Sequence, residues 1–380
     1  MKDAVVVGGS SGIGLAMVKG LVDKGYSNIY VFDKQKPQIS MEQITYTHFD
    51  AVIDSYDVFD EYVDQVDTLL ITAGFGRVAP FETYQDPEIK NSLLVNAVAP
   101  IRVVSKFYQK LLSTDDFYCA IMGSIAGFIS SPLFAIYGAG KSATCQFIEN
   151  VNIEIEQTGS PNRILNVSPG AINGTSFKGG TTDLTAIKAL AEGILSNMYE
   201  RKTLFIPDID VYGGVLERYK ADTHKFGMES YDYKIKSGRM NTSPQLKIGY
   251  LSGTFDLFHV GHLNLLKRAR AHCDYLVVGV HKDASHKGKE TFISFEERKA
   301  IVEACKYVDE VIESYPEDKD VWEQIPYNFL FVGSDYKGTE RFESYEEYFS
   351  DKPVEIVYFD YTKGTSSTHL REAIGTVTNK

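Results

Sequence analysis

The 380-residue chain is 43% hydrophobic and 24% charged, which suits two soluble globular domains, each able to bury a core. Its net charge of −12 argues against nucleic acid or an anionic membrane as the main partner, though not against local basic pockets for phosphates. No apolar run reaches the roughly 18 residues of a membrane span, and no basic-then-apolar leader precedes "AVVVGG", so a cytoplasmic protein is expected.

From Ala4 to about Ile206, apolar strands alternate with helical patterns: "AVVVGG", "NIYVFD", "TLLITAG", "YCAIMGS", "RILNVSPG" and "TLFIPD". Such runs predict a parallel sheet covered on both faces. Between Val215 and Leu246 the chain turns polar, with Gly, Ser, Asn and Pro toward the end, which predicts a terminal helix and then a linker. A second alternation follows, "KIGYLSG", "YLVVGV", "DEVIES", "FLFVGSD" and "VEIVYFD", with helices expected around 260–272, 294–307 and 366–374. The reading is two doubly wound α/β domains, 1–220 and 245–380, with a linker over 221–244. Cys119, Cys145, Cys273 and Cys305 are scattered, without CxxC spacing, and read as buried reduced thiols.

In the first half, "VGGSSGIG" sets Gly8, Gly12 and Gly14, with Ser10, Ser11 and Ile13 among them, between a strand and a helix. Glycines there let the backbone turn tightly and approach a pyrophosphate at the helix N-terminus, although the spacing alone also suits a structural turn. Asp33 ends the second strand 19 residues after Gly14, where a carboxylate can bind the ribose hydroxyls of NAD. Asp50 in "HFDA" and Ala73-Gly74 in "TAG" follow further strands. Ser124 lies 13 residues before Tyr137, and Lys141 follows Tyr137 by four, one helical turn away. A tyrosine in water has a pKa of about 10, and a lysine on the same face favours the phenolate and draws it toward neutral pH. Ser124 can bond a substrate oxygen, and Asn96 in "LLVNAVAP" can support a proton relay. A Tyr–Lys pair by itself is a common surface contact; the serine and the glycine loop give it a chemical meaning.

Taken in order, these elements resemble the short-chain dehydrogenase/reductase family over residues 4 to about 210. The resemblance implies a Rossmann-fold reductase with an Asn96–Ser124–Tyr137–Lys141 tetrad and hydride transfer from a nicotinamide. It also implies that Pro169-Gly170, followed by Ile172, approaches the carboxamide. Val7 stands where the family often has threonine, Ile71-Thr72 replaces an asparagine pair, and Thr175 is one residue late. Asp33 would repel a 2′-phosphate, so NAD(H) is favoured over NADP(H), with Lys34 and Lys36 as cations that could rescue the latter. Little sequence lies between Gly180 and Thr203 for a large lid, which suits a small polar substrate.

The second half opens on "SGTFDLFHVGHLNLL": Gly253, Thr254, Phe255 and Asp256 lead to His259 and His262. Histidines three apart share a helical face, so a metal site is one reading, though no third ligand is suitably placed nearby. A core or helix-cap pair is another. The favoured reading sets both imidazoles against a phosphate chain at a helix N-terminus, where they stabilise charge on an α-phosphate under in-line attack. Lys287 and Lys289 form a basic pair suited to phosphates, and Arg298 opens a later helix.

Residues 246–375 resemble the HxGH nucleotidyltransferases, and more closely cytidylyltransferases of the glycerol-3-phosphate type, whose fold is Rossmann-like. "FLFVGSDYKG", with Asp335, and "TKGTSSTHLREAI", with Thr362, Gly364, Ser366, Ser367 and Thr368 gripping a triphosphate, belong to the match. Tyr361 stands at the signature arginine and Thr365 at the usual isoleucine. The resemblance implies CTP as co-substrate with Mg²⁺ bridging its phosphates, and Arg298 on the substrate phosphate. Together the halves imply a bifunctional enzyme that reduces a keto-sugar (or small keto) phosphate to a polyol phosphate and makes a CDP-polyol from it, the reverse order staying open. CDP-polyols are donors for bacterial cell-wall or capsular polymers, and both families commonly form homodimers or homotetramers. A single-activity enzyme and a non-catalytic dinucleotide-sensing regulator are the rival readings.

Overall fold

The computed structural model describes residues 2–175, 181–207, 209–238, 240–241, 246–283, 290–360 and 370. The chain divides into two compact units, Met1–Pro244 and Gln245–Lys380. In the first, parallel strands β1 (Asp3–Val7), β2 (Asn28–Asp33), β3 (Ile44–His48), β4 (Thr68–Ile71), β5 (Tyr118–Met122), β6 (Ile164–Val167) and β7 (Leu204–Phe205) stand in the order β3-β2-β1-β4-β5-β6-β7. Val5 pairs with Tyr30 on one side and Leu69 on the other.

Alternation along β1 divides the core between the two faces. Val5 and Val7 join Phe107 of α3 (Ala99–Leu112) and Ile148 of α4 (Ala135–Gln157). Ala4 and Val6 join Val18 of α1 (Gly12–Asp23) and Ile194 of α5 (Leu184–Tyr199). A short α2 (Asp86–Leu93) runs through a π-helical turn, Leu94–Val98, into α3. None of the four cysteines lies in a disulfide, and three of them are buried.

The stretch expected as a linker is mostly helix. α6 (Ile209–Ala221) and α7 (Thr223–Lys236) meet at Asp222, whose carboxylate caps α7 by accepting from Lys225 N at 2.9 Å. Tyr219 packs on Phe226, and Arg218 pairs with Glu229. Lys234 Nζ then ties α7 to Ser131 Oγ at 2.7 Å and Pro132 O at 2.8 Å. Phe226 is the single buried residue of the two helices, so the apolar stripe of a packed helix is nearly absent from them.

In the second unit β8 (Ile248–Gly253), β9 (Tyr275–Val280), β10 (Glu310–Glu313), β11 (Phe329–Gly333) and β12 (Glu355–Phe359) stand in the order β10-β9-β8-β11-β12, all parallel. Leu251 and Val278 face Leu266 of α8 (Val260–Arg270) and Val302 of α9 (Phe295–Glu303). Tyr250 and Leu330 face Val321 of α10 (Asp318–Gln324) and Phe342 of α11 (Glu340–Tyr348). The helix expected at 366–374 lies outside the described residues apart from residue 370. No described helix is long and apolar enough to cross a membrane.

Candidate active sites

Each sheet reverses its winding once, between β1 and β4 in the first and between β8 and β11 in the second. Open α/β sheets bind ligands in the crevice beyond the strand ends at that reversal. Both candidate sites lie there.

In the first unit Gly8 and Gly12 take φ of 90° and 51°, conformations that disfavour side chains. A Cβ on Gly8 would fall 2.4 Å from Ala73 N, and one on Gly14 would fall 2.1 Å from Gly8 O. Thr72, at the altered asparagine position, donates to Gly8 O at 2.9 Å and so ties the end of β4 to the glycine loop. Among the described residues a Cβ on Gly12 would meet Thr175 Cγ2 at 3.9 Å, at the N-terminus of α1 where a dinucleotide pyrophosphate binds in such loops. Ser11 is the N-cap of α1, Ile13 packs on the core, and Gly12 N donates to Thr182 Oγ1, a residue no motif singles out. Asp33 accepts from Ser10 N at 3.0 Å and Gln35 N at 3.1 Å, so its carboxylate sits at the rim of this loop. Lys34 is ion-paired with the buried Asp50 at 3.3 Å.

The tetrad residues converge beside this loop. Ser124 caps a short turn, Ile125–Gly127, and its hydroxyl bonds Tyr137. Tyr137, in the first turn of α4, stacks on Phe134 at 4.3 Å, and the Lys141 ammonium lies 5.7 Å from the Tyr137 ring centre. Lys141 Nζ donates to Met122 O at 2.8 Å. A Cβ on Gly74 would meet Asn96 Oδ1 at 2.8 Å and Lys141 Nζ at 3.1 Å, so these three residues share one spot. Asn96 sits in the π-helical turn, and its Nδ2 donates to Phe75 O and Ser92 O.

The electrostatics differ from the sequence expectation. Burial pushes the Tyr137 phenol up to about 12, with the Ser124 bond pulling partly the other way, and burial pushes Lys141 down to about 8. Desolvation therefore dominates at the phenol, and the pull against it comes from Ser124. Pro169 O accepts from Ile125 N at 3.1 Å, and Ile172 O accepts from Thr175 Oγ1. Gly170 lies under Tyr212 of α6, so close that a Cβ would fall 1.6 Å from the Tyr212 hydroxyl. Tyr212 thus brings α6, which follows the 180–203 stretch, over Gly170.

In the second unit the turn after β8 is tightly wound. Phe255 and Leu257 both take left-handed φ, 53° and 49°, an uncommon strain for side-chain-bearing residues. Phe255 is buried, under Gly253 and 5.3 Å from the His262 ring, so it packs the turn from inside. His259 is the N-cap of α8, its Nδ1 accepting from Gly261 N at 3.0 Å, while His262 Nδ1 accepts from His259 N at 3.3 Å. An amide can donate only to an unprotonated ring nitrogen, so the network assigns the proton of each neutral imidazole to Nε2. The two rings stack at 4.0 Å, and burial lowers the pKa of His259. Asp335, exposed in the turn after β11, stands at the neighbouring strand end.

Two further side chains are held by backbone groups. Asp256 is buried, and its carboxylate accepts from Phe292 N and Ile293 N at 3.0–3.1 Å. Through these amide donors it ties the strained turn to the segment before α9. Arg298 is fully buried and donates to the carbonyls of Ile293, Thr254, His281 and Lys282. Four of its donor bonds go to backbone, so it clamps these segments together. Lys287, Lys289, Tyr361, Thr362, Gly364, Ser366, Ser367 and Thr368 lie outside the described residues.

Comparison with known proteins agrees with both geometries. Residues 2–184 match the short chain dehydrogenase family, and residues 250–373 match the cytidylyltransferase-like family. Glycerol-3-phosphate cytidylyltransferase of Bacillus subtilis is 42% identical over 131 residues, 32% of this chain and 92% of that protein. The Staphylococcus aureus protein of the same name is 33% identical over 126 residues, 32% of this chain and 90% of its own. A short-chain dehydrogenase from Burkholderia cenocepacia, solved with NADP, shares the fold at a TM-score of 0.51 and 17% identity, covering 60% of this chain and 99% of that one. The chain therefore belongs to the short-chain dehydrogenase family in its N-terminal half and to the cytidylyltransferase-like family in its C-terminal half, an enzyme with a reductase unit that takes NAD(P) and a nucleotidyltransferase unit that takes CTP.

Proposed function

We propose that the enzyme reduces a keto-sugar (or small keto) phosphate to a polyol phosphate, then transfers CMP from CTP to that phosphate, yielding a CDP-polyol and pyrophosphate. One observation carries the reading: a Ser–Tyr–Lys set and a His pair each occupy the winding reversal of a separate sheet in one chain. The relatives named for glycerol-3-phosphate support a polyol phosphate as acceptor.

In the reduction, Ser124 orients the substrate carbonyl and Tyr137 delivers a proton to its oxygen. A phenol held at about 12 stays protonated at neutral pH, as an acid in this direction must. Lys141 lies one turn below Tyr137, and Asn96 beside Lys141 extends the set toward a proton relay. The nicotinamide supplies the hydride. NAD(H) is favoured because Asp33 holds the loop rim and the neighbouring Lys34 is engaged by Asp50.

In the transfer, a phosphate oxygen of the polyol attacks the α-phosphorus of CTP in line, and the bond to the β-phosphate breaks. His259 and His262 present Nε2–H donors to the charge that develops on the α-phosphate. Mg²⁺ bound with the triphosphate would neutralise charge on the leaving pyrophosphate. We place the enzyme in the cytoplasm, as a homo-oligomer serving bacterial cell-wall or capsular polymer synthesis.

The test mixes the full chain with three- to five-carbon ketose phosphates, CTP, Mg²⁺ and either NADH or NADPH, followed by phosphorus NMR. A CDP-polyol that forms only when CTP and reductant are both present is expected. Pyrophosphate release without nicotinamide oxidation for any ketose would reduce the protein to a single activity and overturn the proposal.

A further inference from the structure

The loop after β4 is a part of the reductase site that no motif covers. Residues 75–79 run across Tyr137 as a strap. Phe75 O accepts from Asn96 Nδ2 at 2.8 Å. Gly76 lies so close to the Tyr137 ring that a Cβ would fall 2.7 Å from Cδ2 and 2.9 Å from Cγ. Ala79 N donates to Leu133 O at 2.7 Å. Leu133, in a left-handed conformation at φ 62°, directly precedes the Phe134 ring that stacks on Tyr137.

Arg77 fastens this strap. It is 3% exposed, and all five of its N–H groups are used. Two make a bidentate pair with buried Glu88, each at 3.0 Å. The others reach Thr83 Oγ1 at 3.0 Å, Thr83 O at 2.7 Å and Asn241 O at 2.9 Å. Tyr84 donates to Arg77 O at 2.6 Å and lays its ring 4.2 Å from the guanidinium carbon. Asn241 returns a bond, its N donating to Val78 O at 2.8 Å, only three residues before the first unit ends at Pro244. A planar five-donor fork satisfied at every point fixes direction as well as distance, which a lysine cannot do.

We propose that Arg77 is a positioning residue for the reduction. It pins the 75–79 strap, and with it the ring of Tyr137, partly through Asn241, so the chain leaving the first unit helps to support the reductase site. The proposal rests on the reading of Tyr137 as proton donor given above.

The test uses the full chain carrying 3-fluorotyrosine at position 137, with Arg77→Lys, Glu88→Gln and Asn241→Pro made singly. Asn241→Pro removes the N–H given to Val78 and leaves the carbonyl that Arg77 reaches, a milder release should Arg77→Lys fail to fold. For the ketose phosphate that the unaltered chain reduces, kcat should fall roughly 10- to 100-fold in Arg77→Lys, the scale of a misplaced catalytic group, and by less in Asn241→Pro. KM, NADH affinity read by fluorescence, and CTP-dependent pyrophosphate release should stay within about twofold, since none of these depends on the tyrosine's direction. The fluorine resonance should shift and broaden in every variant that folds. An unmoved resonance, or an unchanged kcat, overturns the proposal. If the unaltered chain oxidises no nicotinamide with any ketose, the proposed function fails, and the fluorine resonance still decides whether Arg77 positions Tyr137.

Discussion

A histidine at a helix N-cap can serve the fold and the chemistry through different nitrogens. At His259, Nδ1 accepts the Gly261 amide, and the proposed function gives Nε2 the phosphate. The two roles separate by substitution. His259→Asn keeps an acceptor near the Nδ1 position and loses the distal donor, so stability should hold while the rate of pyrophosphate release falls roughly 10²- to 10³-fold, the scale of one lost transition-state donor. His259→Ala loses both and should also cost about 1 kcal/mol of stability, the usual worth of an N-cap. Melting temperature set beside CTP turnover checks this; equal stability of the two variants would sink the cap assignment. The pH dependence has a definite sign. Burial lowers the folded pKa of His259, so between that value and the unfolded value of about 6.5 the unfolded chain binds more protons. Its contribution to stability is therefore complete above that window and declines as pH falls through it.

At the scale of elements, Arg298 shows how one side chain can hold a site it does not enter. Its four backbone partners come from the turn after β8, the segment after β9 and the segment before α9. Asp256 crosses the same gap in the opposite chemical sense, as an acceptor of amides. Arg298→Met should therefore lower the thermal transition of the second unit, by roughly 3–5 kcal/mol as for other broken buried charge networks, and leave KM for the acceptor phosphate little changed in what remains folded. A raised KM at unaltered stability would return Arg298 to the substrate. Both residues were legible as parts of a nucleotide site, because type and spacing are written in the chain. Which atoms they face was not, because carbonyls and amides from distant segments decide it. The strands were legible for a different reason: "AVVV" and "YLVVGV" are buried on both faces, and apolar runs record that directly. The polar stretch records a terminal helix but not how far helix continues, since Tyr231, Tyr233 and Ile235 remain exposed beside a single buried Phe226.

At the scale of the whole molecule, the two sites are built from separate sets of residues, each at the winding reversal of its own sheet. Disabling one set should leave the other intact, and that independence decides the order of reactions. Tyr137→Phe removes the proton donor and should slow reduction roughly 10²- to 10⁴-fold, the usual worth of general acid catalysis. Supplied with ready-made polyol phosphate and CTP, the same variant should still release pyrophosphate at the unaltered rate. His262→Ala, supplied with keto phosphate and NADH, should oxidise the nicotinamide at the unaltered rate and accumulate polyol phosphate. The reverse order predicts the opposite for this second variant. If a CDP-ketose were the species reduced, loss of cytidylyl transfer would stop nicotinamide oxidation as well. The absorbance of NADH in His262→Ala therefore separates the two orders in one measurement. Sustained oxidation supports reduction first, and its disappearance would mean that CTP is used before the carbonyl is reduced.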